Sequence, residues 1–160
     1  MRRSSTKAQP DPVFFTDRDL GRVLPAQLTA GGMKVEAYHQ HFALDNVADG
    51  DWLKFVGARG WIALSHNKRI RYERDELDDL MEARVKAFFM IGKGPHTAFA
   101  AAFLRAHRKM IRMIRKHPEP FVAKVYQDRD DVELWVTYSQ WLKDRRAAPT
   151  GAARRRDLKG

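Results

Sequence analysis

The sequence predicts an α/β protein, a three-layer α/β/α sandwich around a mainly parallel central sheet. Short apolar runs alternate with helical stretches along the chain, and this alternation is typical of parallel strands joined by helices that cover both faces of a sheet. The run from Trp61 to Ser65 is apolar up to its last residue, as expected for a central strand buried on both faces. With 160 residues, 44% of them hydrophobic, the chain is long enough for one core.

The elements in the first part of the chain are predicted from the period of the apolar residues and from the residues that end each run. An apolar run at 13–16 predicts the first strand. A helical stretch at 19–30 follows, and two glycines end it because glycine suits the position after a helix. The alternating run at 33–38 predicts the second strand, and a polar loop is expected at 39–48.

The rest of the chain continues the alternation. Asp49 or Asp51 can cap a helix that runs to about Arg59, before the third strand at 61–65. Proline at position 118 closes the last long helix. Further helices are expected at 73–83 and 96–117, and further strands at 85–91, 121–126 and 132–137. The last two strands flank a turn and can form an antiparallel hairpin at the edge of the sheet.

The formal net charge is +10, and most of this excess lies at the two ends of the chain. Residues 1–12 and 143–160 are basic and have the composition of disordered tails. We therefore expect one folded domain at 13–142 between two disordered basic tails. The simplest interpretation is that these tails only solubilise the protein or loosely contact any polyanion.

The composition argues against several classes of protein. The absence of cysteine excludes disulfides, thiolate zinc sites and cysteine nucleophiles. No apolar run approaches the roughly 18 residues that a membrane-spanning helix needs. Residues 1–12 lack the apolar region of a secretory signal. We expect a soluble, cytoplasmic protein without a membrane partner.

Polar residues follow two of the predicted strands at their carboxyl ends. Asp17 comes directly after the first strand, and Asn67 comes shortly after the strand at 61–65. Because the carboxyl ends of neighbouring parallel strands converge on one edge of the sheet, we expect Asp17 and Asn67 to meet there. Asp49 or Asp51 would enter the same edge from the start of a helix. Nucleases collect carboxylates in this way around magnesium.

Four segments occur in a distinctive order between Val13 and Tyr126. They are Phe15-x-Asp17-Arg18-x-Leu20-Gly21, the acids before Trp52, the run Lys68-Arg69-Ile70-Arg71-Tyr72, and the run Pro120-Phe121-Val122-Ala123-x-Val125-Tyr126. Together they resemble PIN-like domains and, more narrowly, the VapC-type toxins of that superfamily. The resemblance covers nearly the whole predicted domain.

The resemblance implies a ribonuclease that uses Mg²⁺ or Mn²⁺ at the acidic edge of its sheet. By position, Asp17 matches the acid after the first strand, and Asp49 matches the acid that opens the helix before the third strand. Asp51 lies close enough to compete with Asp49. Asn67 falls where the family commonly has aspartate. The resemblance further implies the toxin role of a VapBC-type system, an antitoxin partner that covers or disrupts the acidic edge, and a homodimer.

The acidic positions also have simpler interpretations. Asp17 and Asp49 can be helix caps, and Asp19 is expected to cap the first helix. The amide oxygen of Asn67 can coordinate a hard cation but brings no charge, so it should weaken metal binding rather than abolish it. The alternative function is therefore a PIN-like RNA-binding or protein-interaction module with impaired catalysis.

Two groups of basic residues are candidates for contact with RNA. Lys68, Arg69 and Arg71 directly follow the predicted metal edge, where they can hold a phosphate near the chemistry. The last long helix carries a basic stripe opposite an apolar one. The basic stripe consists of Arg105, Arg108, Lys109, Arg112, Arg115 and Lys116. It can be a solvated face, a track for an RNA backbone, or a surface that pairs with the acidic helix at 73–83 within the chain or across a dimer.

Overall fold

The computed structural model describes residues 9–43, 47–66 and 74–147, and within these ranges it contains one six-stranded sheet. The strands are β1 (Phe14–Thr16), β2 (Val35–Ala37), β3 (Ile62–Ser65), β4 (Lys86–Ile91), β5 (Phe121–Tyr126) and β6 (Val132–Thr137). The helices are α1 (Val23–Ala30), α2 (Tyr38–His41), α3 (Asp49–Ala58), α4 (Arg74–Glu82), α5 (His96–Lys116) and α6 (Tyr138–Ala147). No helix in the described ranges is both long and apolar enough to cross a bilayer.

The strands lie in the order β2-β1-β3-β4-β5-β6. Strands β1 to β5 are parallel, and β6 pairs with β5 in the antiparallel direction. The predicted mainly parallel sheet and its antiparallel edge hairpin are therefore confirmed. Because β1 lies between β2 and β3, the chain leaves β1 towards one edge of the sheet and returns on the other side of β1. The carboxyl ends of β1 and β3 thus flank a topological switch point, where open α/β sheets form a crevice.

Helices cover both faces of the sheet, so the predicted α/β/α layering is also confirmed. Successive strand residues point to opposite faces. Phe14 enters the core on the first face, with α1 and α5, and Phe15 enters the core on the second face, with α2, α3, α4 and α6. All residues of β3 are buried, which explains why the run that forms it is apolar.

The connection through α5 has the opposite hand to the other crossovers between parallel strands. Helices α1 and α5 pack against each other on the first face. The chain moves in opposite directions across the sheet when it passes through them, from β1 to β2 and from β4 to β5. Such crossovers nearly always share one hand. This exception places the start of α5 on the same face as the turn that follows β1.

The predicted first helix is split in two. Residues Arg18–Leu20 form a 3-10 turn, and α1 begins only at Val23. Between them Gly21 has a φ of 74°, a conformation that glycine adopts without the strain a Cβ would add. Asp19 therefore does not cap α1, contrary to the expectation. The predicted loop at 39–48 likewise begins inside a short helix, α2.

Helix α6 was not predicted, and it continues past Leu142, where the sequence placed the end of the domain. Trp141 anchors it: the ring is buried in the core of the second face, and its Nε1 donates to Asp78 Oδ1 over 2.8 Å. The helix starts with a reciprocal cap, in which the N–H of Gln140 donates to Thr137 Oγ1 and the N–H of Thr137 donates to Gln140 Oε1. This spacing is a capping box, so a signal for the helix was present in the sequence.

Candidate active site

The candidate site lies where β1 and β3 end. The two strands pair in parallel with Thr16 opposite Leu64, and the N–H of Asp17 donates to the carbonyl oxygen of Leu64 over 3.0 Å. The pairing thus fixes the position of the first residue after β1 against the end of β3. Four polar residues meet at this switch point: Asp17, Asp19, Ser65 and His66.

Asp17 is held by contacts to both of its carboxylate oxygens. The N–H of Arg18 donates to Oδ1 over 2.6 Å, which makes Asp17 the cap of the 3-10 turn. The hydroxyl of Ser65 donates to Oδ2 over 3.0 Å. Asp17 is 9% exposed and Ser65 2% exposed. The cap interpretation is therefore correct, and the same carboxylate also faces β3 at the predicted edge.

Asp19 turns back toward the end of β3 and becomes the second carboxylate of the site. Its Oδ2 accepts from the Ser65 hydroxyl over 3.3 Å and from the N–H of His66 over 3.2 Å. Although the residue as a whole is exposed, burial of the carboxylate raises the pKa of Asp19, while these two hydrogen bonds and the nearby His66 and His96 oppose the shift. Two carboxylates thus converge on a single hydroxyl.

Two histidines border the carboxylates. His66 is fixed by a 2.8 Å hydrogen bond between Nε2 and the carbonyl oxygen of Gly92, and its ring lies 4.5 Å from that of Phe99. His96, the first residue of α5, lies beside Gly21, where an added Cβ would be 3.5 Å from His96 Nδ1. Sequence reasoning missed Ser65 and both histidines. Ser65 ends an apolar strand and His66 follows it, and this position was the available signal for those two.

The structure locates only part of the predicted metal site. Asp17 lies at the expected edge. Asp49 and Asp51 lie in the first turn of α3, and because α3 leads directly into the amino end of β3, that first turn is directed toward the carboxyl edge of the sheet. Asp51 is exposed, and the side chain of Asp49 lies outside the part of the chain that the structure describes. Outside the described residues lie Asn67, Lys68, Arg69 and Arg71.

The residues that the structure describes contain no group of three or more His, Cys, Asp or Glu side chains that could hold a metal ion. Asp79 on α4 is a further carboxylate close to the start of α3, because a Cβ built on Gly50 would lie 3.2 Å from Asp79 Oδ2. Burial, and then repulsion from Asp75, Glu82 and Asp78, raises the pKa of Asp79, while Lys54 opposes the shift.

The basic stripe on α5 lies opposite a buried apolar stripe, as predicted. Parts of it are held by neighbouring backbone. Arg105 donates to the carbonyl oxygens of Gln127 and Arg129, in the turn between β5 and β6. Lys109 donates to the carbonyl oxygen of Asp130 in the same turn and forms an ion pair with its carboxylate. These two cations hold the hairpin turn against α5.

In the described residues the acidic helix and the basic stripe lie on opposite faces of the sheet. Helix α4 lies on the second face of the sheet and α5 on the first. Two described polar contacts of α4 come from α6: Arg145 Nη1 lies 2.6 Å from Glu82 Oε2, and Trp141 donates to Asp78. Sequence reasoning missed this partner because it missed α6.

A family model described as PIN like domain matches residues 12–92. This chain belongs to the PIN-like domain family. The match runs from just before β1 to the end of β4 and so includes both carboxylates of the switch point, the start of α3 and Asn67. The predicted resemblance to PIN-like domains is thereby confirmed. Neither the curated proteins nor the solved structures contain a match to this chain.

Proposed function

We propose that this PIN-like protein is a metal-dependent endoribonuclease that hydrolyses RNA phosphodiester bonds. The observation that carries the proposal is the convergence of Asp17 and Asp19 on the Ser65 hydroxyl at the switch point of the sheet. Ligand sites of open α/β sheets lie at this place. Membership of the PIN-like family supports a nuclease.

The donor set at this edge fits Mg²⁺ or Mn²⁺. The close donors are carboxylate oxygens, which hard divalent cations prefer. A cation placed beside Asp17 and Asp19 would be attracted by both carboxylates. Asp49, Asp51 and the amide of Asn67 would supply the remaining protein ligands. When bound, the metal would neutralise charge on the scissile phosphate and make water a nucleophile at neutral pH.

The residues of this chain would hold and orient the reacting groups. The N–H groups of Arg18 and His66 and the hydroxyl of Ser65 fix the two carboxylates, so their positions depend on the ends of β1 and β3. Lys68, Arg69 and Arg71 would hold the RNA phosphates beside the bond that is cleaved. Backbone contacts of this kind position a strand without choosing its sequence.

We further propose that the protein is the toxin of a VapBC-type system in the cytoplasm. Support comes from the resemblance of its ordered motifs to VapC-type toxins. The cognate antitoxin would cover the acidic edge, and the toxin would form a homodimer. Co-expression with the product of a neighbouring small open reading frame should give a complex that no longer cleaves RNA. A protein product that leaves cleavage unchanged would contradict this assignment for that gene pair.

The nuclease proposal is tested by RNA cleavage with Mg²⁺, with Mn²⁺ and with EDTA. Asp17→Asn and Asp19→Asn keep the size of the side chain and an acceptor oxygen but remove the charge. Each should lower metal-dependent cleavage by about a hundredfold, because each removes a charged oxygen from the metal site. Asp144→Asn, an exposed change on α6, should leave the rate unchanged.

The second candidate function is a PIN-like RNA-binding module with impaired catalysis, which the amide at Asn67 favours. Asn67→Asp separates the two candidates because it restores a charge where the family commonly has one. For an active nuclease, Asn67→Asp should lower the Mg²⁺ concentration needed for half-maximal cleavage. RNA binding without cleavage by the parent protein, together with cleavage by Asn67→Asp, would establish the impaired module instead.

A further inference from the structure

A second charged surface lies on α5, away from the carboxyl edge. It is an open concavity of about 320 Å³. Its lining residues are Asp11, His107, Arg108, Ile111, Arg112 and Arg115. Arg112 lies about 24 Å along the helix axis from His96, which is at the carboxyl edge of the sheet. The concavity is therefore distinct from the candidate active site.

The charge of the concavity favours an anion. Arg108, Arg112 and Arg115 contribute three positive charges against the single negative charge of Asp11. His107 adds none at neutral pH, because burial lowers its pKa, although Asp11 opposes the shift. The chain segments 1–8 and 148–160 are themselves basic, so neither is a complementary occupant. A polyanion from another molecule would complement the charge of the concavity.

The arginines of this concavity differ in how they are already bonded. Arg115 donates to the carbonyl oxygen of Gln9 and lies 3.7 Å from Asp11 Oδ1. Within the described ranges, the side chains of Arg108 and Arg112 form neither a hydrogen bond nor an ion pair. Both are exposed and lie one helical turn apart. Their guanidinium groups are available to a ligand, unlike those cations of the stripe that hold the hairpin turn.

We infer that this concavity binds the phosphates of an RNA strand, as a second contact remote from the cleaved bond. Arg108 and Arg112 lie about 6 Å apart along the helix axis, and a nucleic-acid strand carries one charge per roughly 3.4 Å of helix axis. The pair can therefore meet two phosphates of one strand. Guanidinium groups bind phosphate through paired N–H donors. The choice of RNA as the polyanion rests on the proposed function.

The experiment measures RNA binding by the full-length chain in EDTA, so that no cleavage occurs. A labelled single-stranded RNA of about 20 nucleotides is titrated at several salt concentrations. The test protein is Arg108→Gln/Arg112→Gln. Loss of two phosphate contacts should reduce the slope of log affinity against log salt by about 1.4, which corresponds to about tenfold weaker binding near 0.15 M salt.

The matched control is Arg105→Gln/Lys109→Gln, which removes the same charge from the same helix but outside the concavity. Its slope should change by less than half as much. Equal changes in both double variants would mean that general electrostatic attraction, not the concavity, binds the strand. Circular dichroism of both double variants checks that each is folded.

An acidic protein chain is the competing occupant. Guanidinium groups pair with carboxylates as well as with phosphates, so polyglutamate of similar length tests this alternative directly. If the occupant is RNA, polyglutamate should displace the labelled RNA only weakly. Displacement as effective as by unlabelled RNA, lost in Arg108→Gln/Arg112→Gln, would overturn the assignment to RNA.

The result also separates this inference from the nuclease proposal. RNA binding that depends on Arg108 and Arg112, in a protein that does not cleave RNA, would refute the nuclease proposal and support the second RNA contact. RNA cleavage by the parent protein, with no difference in RNA binding between the two double variants, would support the nuclease proposal and refute the second RNA contact.

Discussion

The arrangement of the two carboxylates depends on the hydroxyl of Ser65, and the substitution Ser65→Ala tests this dependence. The hydroxyl lies 3.0 Å from Asp17 Oδ2 and 3.3 Å from Asp19 Oδ2, and Ser65 is 2% exposed. A hydrogen bond to a charged group contributes about 1.5–3 kcal/mol. Because a hydroxyl has one proton, it donates fully to only one carboxylate at a time, so we expect Ser65→Ala to cost about 2 kcal/mol. For a protein of this size that lowers the melting temperature by about 6 °C.

The pH dependence of this loss has a definite sign. The bond from Ser65 stabilises the ionised form and therefore lowers the pKa of Asp19 relative to the value that burial alone would give. Its contribution is present while the Asp19 carboxylate is ionised and is lost as the pH falls through the pKa of Asp19 in the folded protein. The difference in stability between parent and Ser65→Ala should therefore be largest at neutral pH and shrink toward acid.

Thermal and urea unfolding, followed by circular dichroism at several pH values, measure these effects. Ser139→Ala, an exposed serine change on α6, is the control. In an Asp19→Asn background the cost of Ser65→Ala should change by at least about 0.5 kcal/mol, because the two residues contact each other. A Ser65→Ala protein as stable as Ser139→Ala at neutral pH, or a difference that grows toward acid, would refute the bridging role of Ser65.

Two further predictions concern the second face of the sheet. Asp79→Asn should raise stability by about 0.5 kcal/mol at neutral pH, a modest gain because the residue is exposed. The pKa of Asp79 is raised by burial and by neighbouring acids. The gain in stability should therefore be complete above the raised pKa and vanish below the ordinary value of 3.8. Urea unfolding across this pH range measures the gain, and a gain that persists in acid would contradict the prediction. Trp141→Ala should cost about 3–4 kcal/mol, because it removes a buried ring and a hydrogen-bond donor to Asp78. Val23→Ala, at a position 65% exposed, is the control for this change, and equal unfolding midpoints would mean that α6 does not stabilise the domain.

Most of the fold could be predicted from local sequence. The apolar runs predicted the ends of the six described strands within one or two residues. This is possible because the periodicities of strands and helices appear in the pattern of neighbouring side chains. The misses were also local in origin. Gly21, with its positive φ, splits the first helix, and the capping box at Thr137 and Gln140 begins an unpredicted one.

The candidate site could be predicted only in part. Asp17 follows an apolar run, and its position at a strand end is visible in the sequence. That Asp19 shares a hydroxyl with it depends on the pairing of β1 with β3, two strands separated by more than forty residues. For the same reason, sequence reasoning gave Asp19 the role of a cap.

The sequence by itself determined which residues could carry charge or enter a core, because composition and periodicity are properties of short stretches. The tertiary structure decided which of them act together. Strand order brought Asp17 and Asp19 to Ser65, and the unusual crossover put His96 on the same face as the turn after β1. The hairpin turn engaged Arg105 and Lys109, while Arg108 and Arg112 stayed available on the same helix. These groupings depend on contacts between distant parts of the chain, which no local pattern encodes.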